Sequence, residues 1–206
     1  MHLQYHDRTT GMLIFWDQKL VFLATPKAGS TAIEMALDSL ASASLLRPAA
    51  LKHTDIATYR RFVGPWLSAQ TGAAFTTVAL MREPVDWLRS WYRFKLRDDH
   101  DDPRHAMDGI TFADFAGRYA AGQHPEIGSQ SDFLTDGDQR VDRIFRYEDI
   151  TSFVDFLESR LDCAIELPRI NVPPSVDVHL PEPAEAQLRH AMARDLQVYA
   201  SLQARD

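Results

Sequence analysis

The sequence predicts an α/β fold with a central, mostly parallel sheet flanked by helices. Two strand–turn–helix junctions carry that expectation. In the first, Leu20-Val21-Phe22-Leu23-Ala24-Thr25 runs into Pro26-Lys27-Ala28-Gly29-Ser30-Thr31. In the second, Thr77-Val78-Ala79-Leu80-Met81 runs into Arg82-Glu83-Pro84. A short run that is almost wholly apolar fits a strand buried on both faces, as parallel strands between helices are. A chain of 206 residues with 45% hydrophobic content can bury one good core, so residues 1–206 are expected to form a single domain.

The elements follow in order. After the first junction, Ile33, Ala36, Leu37 and Leu40 recur at helical spacing, predicting a helix over 32–41 that packs back on the sheet. Residues 42–75 read as an insertion containing a short helix over 54–63, stopped by Gly64-Pro65. Beyond the second strand, Pro84 suits a first helical turn, and Trp87, Leu88, Trp91 and Tyr92 give the next helix a broad apolar face. A charged loop fills 97–110, a helix 112–120 and a long loop 122–139. A strand is expected over Val141 to Tyr147, and Phe153, Phe156, Leu157 and Leu161 mark a helix. The proline-rich stretch 168–183 is extended. A last helix starting near Pro183 buries Leu188, Met192, Leu196 and Tyr199.

Both junctions carry groups suited to phosphate. A helix N-terminus presents backbone N–H groups without intrahelical partners and the positive end of the helix dipole. Gly29 lets the backbone come close, Ser30 and Thr31 add hydroxyls, and Lys27 supplies a mobile charge. At the second junction Arg82 stands where an open α/β sheet presents its ligand crevice, with Ser90 about two turns into the helix. An arginine fork and a serine hydroxyl make a clamp for a phosphate monoester. The competing reading makes Lys27 a surface lysine, Ser90 a packing residue, and Arg82 a partner of Glu83 or Asp86. The nucleotide-kinase loop G-x-x-x-x-G-K-[ST] is not present, because here the lysine precedes the glycine.

With these motifs in this order, the chain resembles the PAPS-dependent sulfotransferases, whose donor is 3′-phosphoadenosine-5′-phosphosulfate. Their 5′-phosphosulfate loop reads like Pro26-Lys27-Ala28-Gly29-Ser30-Thr31, and their 3′-phosphate site like Arg82-x-Pro84 followed by Ser90-x-Tyr92. The resemblance continues through Gln130-Ser131-Asp132-Phe133-Leu134, Val141 to Asp149, Asn171-Val172-Pro173 and the C-terminal helix. Trp87 departs from it where many members carry arginine, and Glu83 replaces a commoner aspartate or asparagine. The resemblance implies a three-layer, P-loop-NTPase-like sandwich. It also implies a short, bacterial-type enzyme that moves a sulfuryl group to a hydroxyl or amine and releases 3′,5′-ADP. The donor would be held by Pro26, Lys27, Ala28, Gly29, Ser30, Thr31, Ala32, Arg82, Ser90 and Tyr147, with no metal required.

Sulfuryl transfer, like phosphoryl transfer, is catalysed mainly by positioning and charge stabilisation. Lys27 is the candidate to balance charge on the bridging oxygen. His53 is the candidate general base, since relatives often place a catalytic histidine or glutamate after the first helix and imidazole suits neutral-pH proton transfer. A competing reading has His53 cap the helix beginning near Thr54; His124, Glu126 and Asp132 are the other candidate bases. The acceptor is expected to be a small molecule, lipid or carbohydrate. Trp16, Trp66, Trp87, Trp91 and Tyr92 suit either an apolar acceptor pocket or the core. A P-loop-type nucleotide kinase and a non-catalytic nucleotide-binding protein of the same fold are the alternatives.

Charge and composition exclude several classes. A net charge of −7 argues against general nucleic-acid binding, which needs a basic footprint, and gives no reason to expect a polyanionic acceptor. The single cysteine, Cys163, fits a reducing compartment and a small core residue. Residues 1–8 lack the regions of a signal peptide, and no apolar run approaches the ~20 residues of a membrane span. The expectation is a cytoplasmic protein with no integral membrane segment; a homodimer is compatible. The carboxylates and histidines of 97–105 match no zinc or calcium spacing and read as a solvated loop.

Overall fold

The computed structural model describes residues 11–46, 48–98, 107, 109–168 and 176–202. In chain order the strands are β1 (Met12–Phe15), β2 (Leu20–Leu23), β3 (Ala43–Leu45), β4 (Thr76–Met81), β5 (Thr135–Asp136), β6 (Gln139–Arg140) and β7 (Arg143–Arg146). The α-helices are α1 (Ser30–Leu37), α2 (Ala49–Lys52), α3 (Ile56–Thr58), α4 (Gly64–Thr71), α5 (Pro84–Asp98), α6 (Phe112–Ala120), α7 (Gln130–Leu134), α8 (Ile150–Leu161), α9 (Glu182–Ala191) and α10 (Ala193–Ser201). The main sheet has five strands in the order β3–β1–β2–β4–β7, and β5 pairs with β6 in a small hairpin. β2 is parallel to β4 and β4 to β7, whereas β1 is antiparallel to both β2 and β3. Every strand of the main sheet except β1 therefore points the same way, and the fold is α/β with a mixed, mostly parallel sheet.

Backbone contacts group the chain into two compact units, residues 1–81 with 132–170 and residues 82–131 with 171–206. The first holds the sheet. Leu13, Phe15, Leu20, Phe22, Val78 and Leu80 from the strands share its core with Ile33 and Leu37 of α1 and Phe153 and Leu157 of α8. The second is helical. Val85, Trp87, Leu88 and Tyr92 of α5 pack with Phe112, Phe115 and Ala116 of α6 and with Leu188 and Met192. α6 starts on a capping box, with the Thr111 and Asp114 side chains each bonded to the other's backbone N–H.

Several elements differ from the expected ones. β1 and β3 were not anticipated. The first helix begins at Ser30 and stops at Leu37 instead of spanning 32–41, because the chain must turn to give Ser42 N–H to Ile14 O at 2.8 Å and enter β3. Leu40 is consequently 49% exposed instead of facing the core.

Gly64-Pro65 does not stop the 54–63 helix. Residues Tyr59–Val63 form a π-turn, and α4 restarts at Gly64, with Pro65 where the missing N–H costs no hydrogen bond. A Cβ at Gly64 would come to 3.2 Å from the Tyr59 ring, a tight contact that would ask the ring to give by a few tenths of an ångström.

The long loop 122–139 contains α7 and the β5–β6 hairpin. The strand expected from Val141 starts at Arg143, since the Asp142 carboxylate bonds the Thr77 N–H and hydroxyl, each at 2.7 Å, and so staples the approach of β7 to β4. Helix 112–120 and the helix of Phe153 to Leu161 stand where expected. The last helix starts at Glu182 but breaks at Met192 into α9 and α10. Leu188 and Met192 are buried; Leu196 and Tyr199 are only half-buried, and Asp195 is buried beside them in sequence. Residues 99–106 of the charged loop and 169–175 of the proline-rich stretch lie outside the described residues.

Candidate functional site

The loop after β2 owes its shape to two residues with positive φ, Lys27 at 60° and Gly29 at 80°. For a lysine that conformation costs roughly 1–2 kcal/mol, a strain that persists only where the surroundings hold it. Gly29 is constrained twice. Beyond its φ, a Cβ there would meet the Tyr147 ring at 2.5 Å, so the tyrosine that follows β7 sits close against the glycine that follows β2. Gly29 is the N-cap of α1 and offers no capping side chain, and the first turn holds no acidic residue. Ala28 and Ser30 are buried, whereas Pro26, Lys27, Thr31 and Ala32 are half-buried along the loop.

His53, in the turn after α2, reaches the base of the same loop. Its Nδ1 lies 2.8 Å from the Ala24 carbonyl oxygen. A carbonyl only accepts, so Nδ1 carries the proton and Nε2 keeps the lone pair, which is the tautomer a base requires. Burial lowers the pKa of His53; the Ala24 hydrogen bond opposes that, and the charges of Lys52 and Lys27 reinforce it. The imidazole is therefore neutral at pH 7, and Lys27 is near enough to act on it. His53 does not cap α3: its N-cap is Asp55, whose carboxylate accepts the Thr58 N–H at 2.7 Å.

Arg82 follows the last residue of β4, and Ser90 is half-buried on α5. The Arg82 main chain is clasped by one side chain. Gln130 Oε1 accepts the Arg82 N–H at 2.9 Å, and Gln130 Nε2 donates to the Arg82 carbonyl at 2.8 Å. Asp86 pairs with Arg89 at 2.7 Å, and the Glu83 carboxylate accepts the Asp86 N–H at 2.8 Å in the first turn of α5.

The alternative bases are placed differently. His124 and Glu126 bond each other at 3.2 Å, and Lys95 joins Glu126 at 2.7 Å. Burial raises the Glu126 pKa, but the Lys95 hydrogen bond, its own backbone and His124 outweigh that and hold it low. Asp132 is exposed on α7. Trp87 and Tyr92 belong to the core, with Trp87 edge-on to Trp91 at 6.2 Å and the Tyr92 hydroxyl bonded to Ile110 O at 2.8 Å. Trp16 stacks edge-on with Phe75, and Trp66 is 57% exposed.

Sequence reasoning missed the Gln130 clasp and the contact of Tyr147 with Gly29. The available signals were slight: Gln130 stands in the mostly polar segment Gln-Ser-Asp-Phe-Leu, and nothing in the sequence ties Gly29 to a tyrosine 118 residues away. Among the described residues no three His, Cys, Asp or Glu side chains are grouped to hold a metal, and no helix is long and apolar enough to cross a membrane. No family model matches the chain, and no curated protein matches it.

Proposed function

We propose that the chain is a PAPS-dependent sulfotransferase of the three-layer, P-loop-like kind, acting on a small-molecule, lipid or carbohydrate acceptor. The supporting observation is the pairing around the β2 turn. A strained Lys27 and a neutral His53 with its Nδ1 tied to Ala24 stand at a loop that leads into the N-terminus of α1, whose first turn carries no acidic residue. The dipole and backbone N–H groups of a helix N-terminus suit a phosphosulfate. The acceptor hydroxyl attacks sulfur, its proton passes to His53 Nε2, and an oxygen–sulfur bond forms. The bond from sulfur to the bridging oxygen breaks, and Lys27 balances the charge left on 3′,5′-ADP. Arg82 and Ser90 take the 3′-phosphate in this reading, and no metal is needed.

The experiment is to incubate the protein with PAPS and a panel of hydroxyl and amine acceptors, following 3′,5′-ADP release and product mass. Acceptor-dependent release that disappears in Lys27→Ala supports the reading. Phosphoryl transfer from ATP and Mg²⁺ in its place would make the chain a nucleotide kinase.

A further inference from the structure

We infer that Gln130 is a positioning residue that sets the main chain of Arg82 and through it the preference for a nucleotide bearing a 3′-phosphate. The inference rests on the sulfotransferase reading and extends it to a residue that touches no substrate.

The argument starts where β4 ends. Its last ladder pair is Met81 with Arg146, so Arg82 has left the strand, and α5 begins only at Pro84. A main chain in that gap has neither ladder nor helix to satisfy it, yet its N–H and carbonyl must be paired if removed from water. The Gln130 amide meets both at once, standing in for one peptide unit of a neighbouring strand. Its orientation is fixed by chemistry, since the Arg82 N–H needs the amide oxygen and the Arg82 carbonyl needs the amide nitrogen.

Gln130 is 1% exposed, and an amide that deep is tolerated only with its hydrogen bonds made. The clasp is itself anchored. The next residue, Ser131, gives its N–H to Asp195 Oδ1 at 2.7 Å, and Asp195 of α10 is also 1% exposed. Two buried polar side chains in series, Asp195 and Gln130, thus hold one arginine's backbone. On the other side, residue 83 precedes a proline, which narrows its own backbone freedom. With its own N–H and carbonyl clasped and the next residue constrained, the Cα–Cβ direction from which the Arg82 side chain departs is set before any ligand arrives.

The test measures dissociation constants for 3′,5′-ADP and 5′-AMP in wild type, Gln130→Met and Gln130→Glu. Methionine keeps the volume and loses both hydrogen bonds; glutamate keeps the acceptor for the Arg82 N–H. Wild type should favour 3′,5′-ADP by about tenfold or more, as charge-assisted bonds to a phosphate allow. Gln130→Met should lose most of that ratio by weakening 3′,5′-ADP alone, and Gln130→Glu should fall between. A purely structural glutamine would lower the melting temperature and weaken both nucleotides in proportion; an unchanged ratio in either variant overturns the inference. If Gln130→Met does not fold, the ratio in Gln130→Glu decides. Equal binding of the two nucleotides by wild type overturns the underlying reading and the inference with it.

Discussion

The turns that follow β2 and β4 look alike in sequence, each an apolar strand running into a basic residue and then a helix, yet they are held by different means. After β2 the shape comes from within the loop. Lys27 and Gly29 take positive φ, and the Tyr147 ring beside Gly29 leaves no room for a side chain. After β4 the shape comes from a distance, as the Gln130 amide clasps the main chain of Arg82. The first turn brings a lysine near a neutral imidazole. The second has its backbone held by the amide of a residue 48 positions away. A strained loop tolerates almost no substitution at its glycine, whereas a clasped one fails through a residue far along the chain.

The sharpest way to break this contrast is at His53. His53→Ala should lower turnover by about 10²–10⁴-fold while leaving 3′,5′-ADP affinity nearly unchanged. A variant that melts earlier but turns over normally would make the imidazole structural.

Next comes Lys27→Ala, which should cost about 10²–10³-fold in single-turnover rate at saturating donor. Arg82→Ala should instead weaken donor affinity and leave that rate largely intact. Rapid-quench kinetics with both variants separates the chemical turn from the positioning turn.

Gly29→Ala should destabilise by about 2 kcal/mol, from the positive φ and the contact with Tyr147 together. In a Tyr147→Ala background the contact is gone, and the cost should drop to about 1 kcal/mol. Denaturant melts of the four proteins measure the coupling.

The smallest effect is that of pH. His53 titrates below its unfolded value of 6.5, so as pH falls the unfolded chain takes up a proton first. Its contribution to stability is constant above pH 6.5 and declines as pH drops from there toward the folded value. The acid limb of kcat/KM should likewise lie below 6.5. In His53→Gln both dependences should flatten.

The strands β2 and β4 were legible because every residue from Leu20 to Thr25 and from Thr77 to Met81 is buried, a run that only a covered sheet explains. Helices α5, α6 and α8 were legible from apolar residues at helical spacing. β1 was missed although Met12 to Trp16 is an apolar run as long as Leu20 to Ala24 and its strand is as buried as β2, because it leads into the short turn before β2 and carries no strand–turn–helix junction to single it out. β3 is only three residues long and half exposed, which leaves no pattern to read. The π-turn at Tyr59–Val63 is one wider turn inside an otherwise helical stretch, closed by the Gly64 N–H on the Tyr59 carbonyl, and helical spacing of apolar residues does not mark it. Lys27 and His53 were marked from their residue types and places in the chain. What joins them is a hydrogen bond between residues 29 apart in sequence, Ala24 and His53. Asp195 was invisible for a related reason: a charged residue in a helix reads as solvated unless its buried partner, here the Ser131 N–H, is known.

The most direct test of the central claim compares melting temperatures with 3′,5′-ADP and with 5′-AMP at equal concentration. A site built for a donor with phosphate at both ends should be stabilised by 3′,5′-ADP by about 2.7 kcal/mol at a hundredfold excess over its dissociation constant, and far less by 5′-AMP. Equal shifts with the two nucleotides, or none with either, would contradict it.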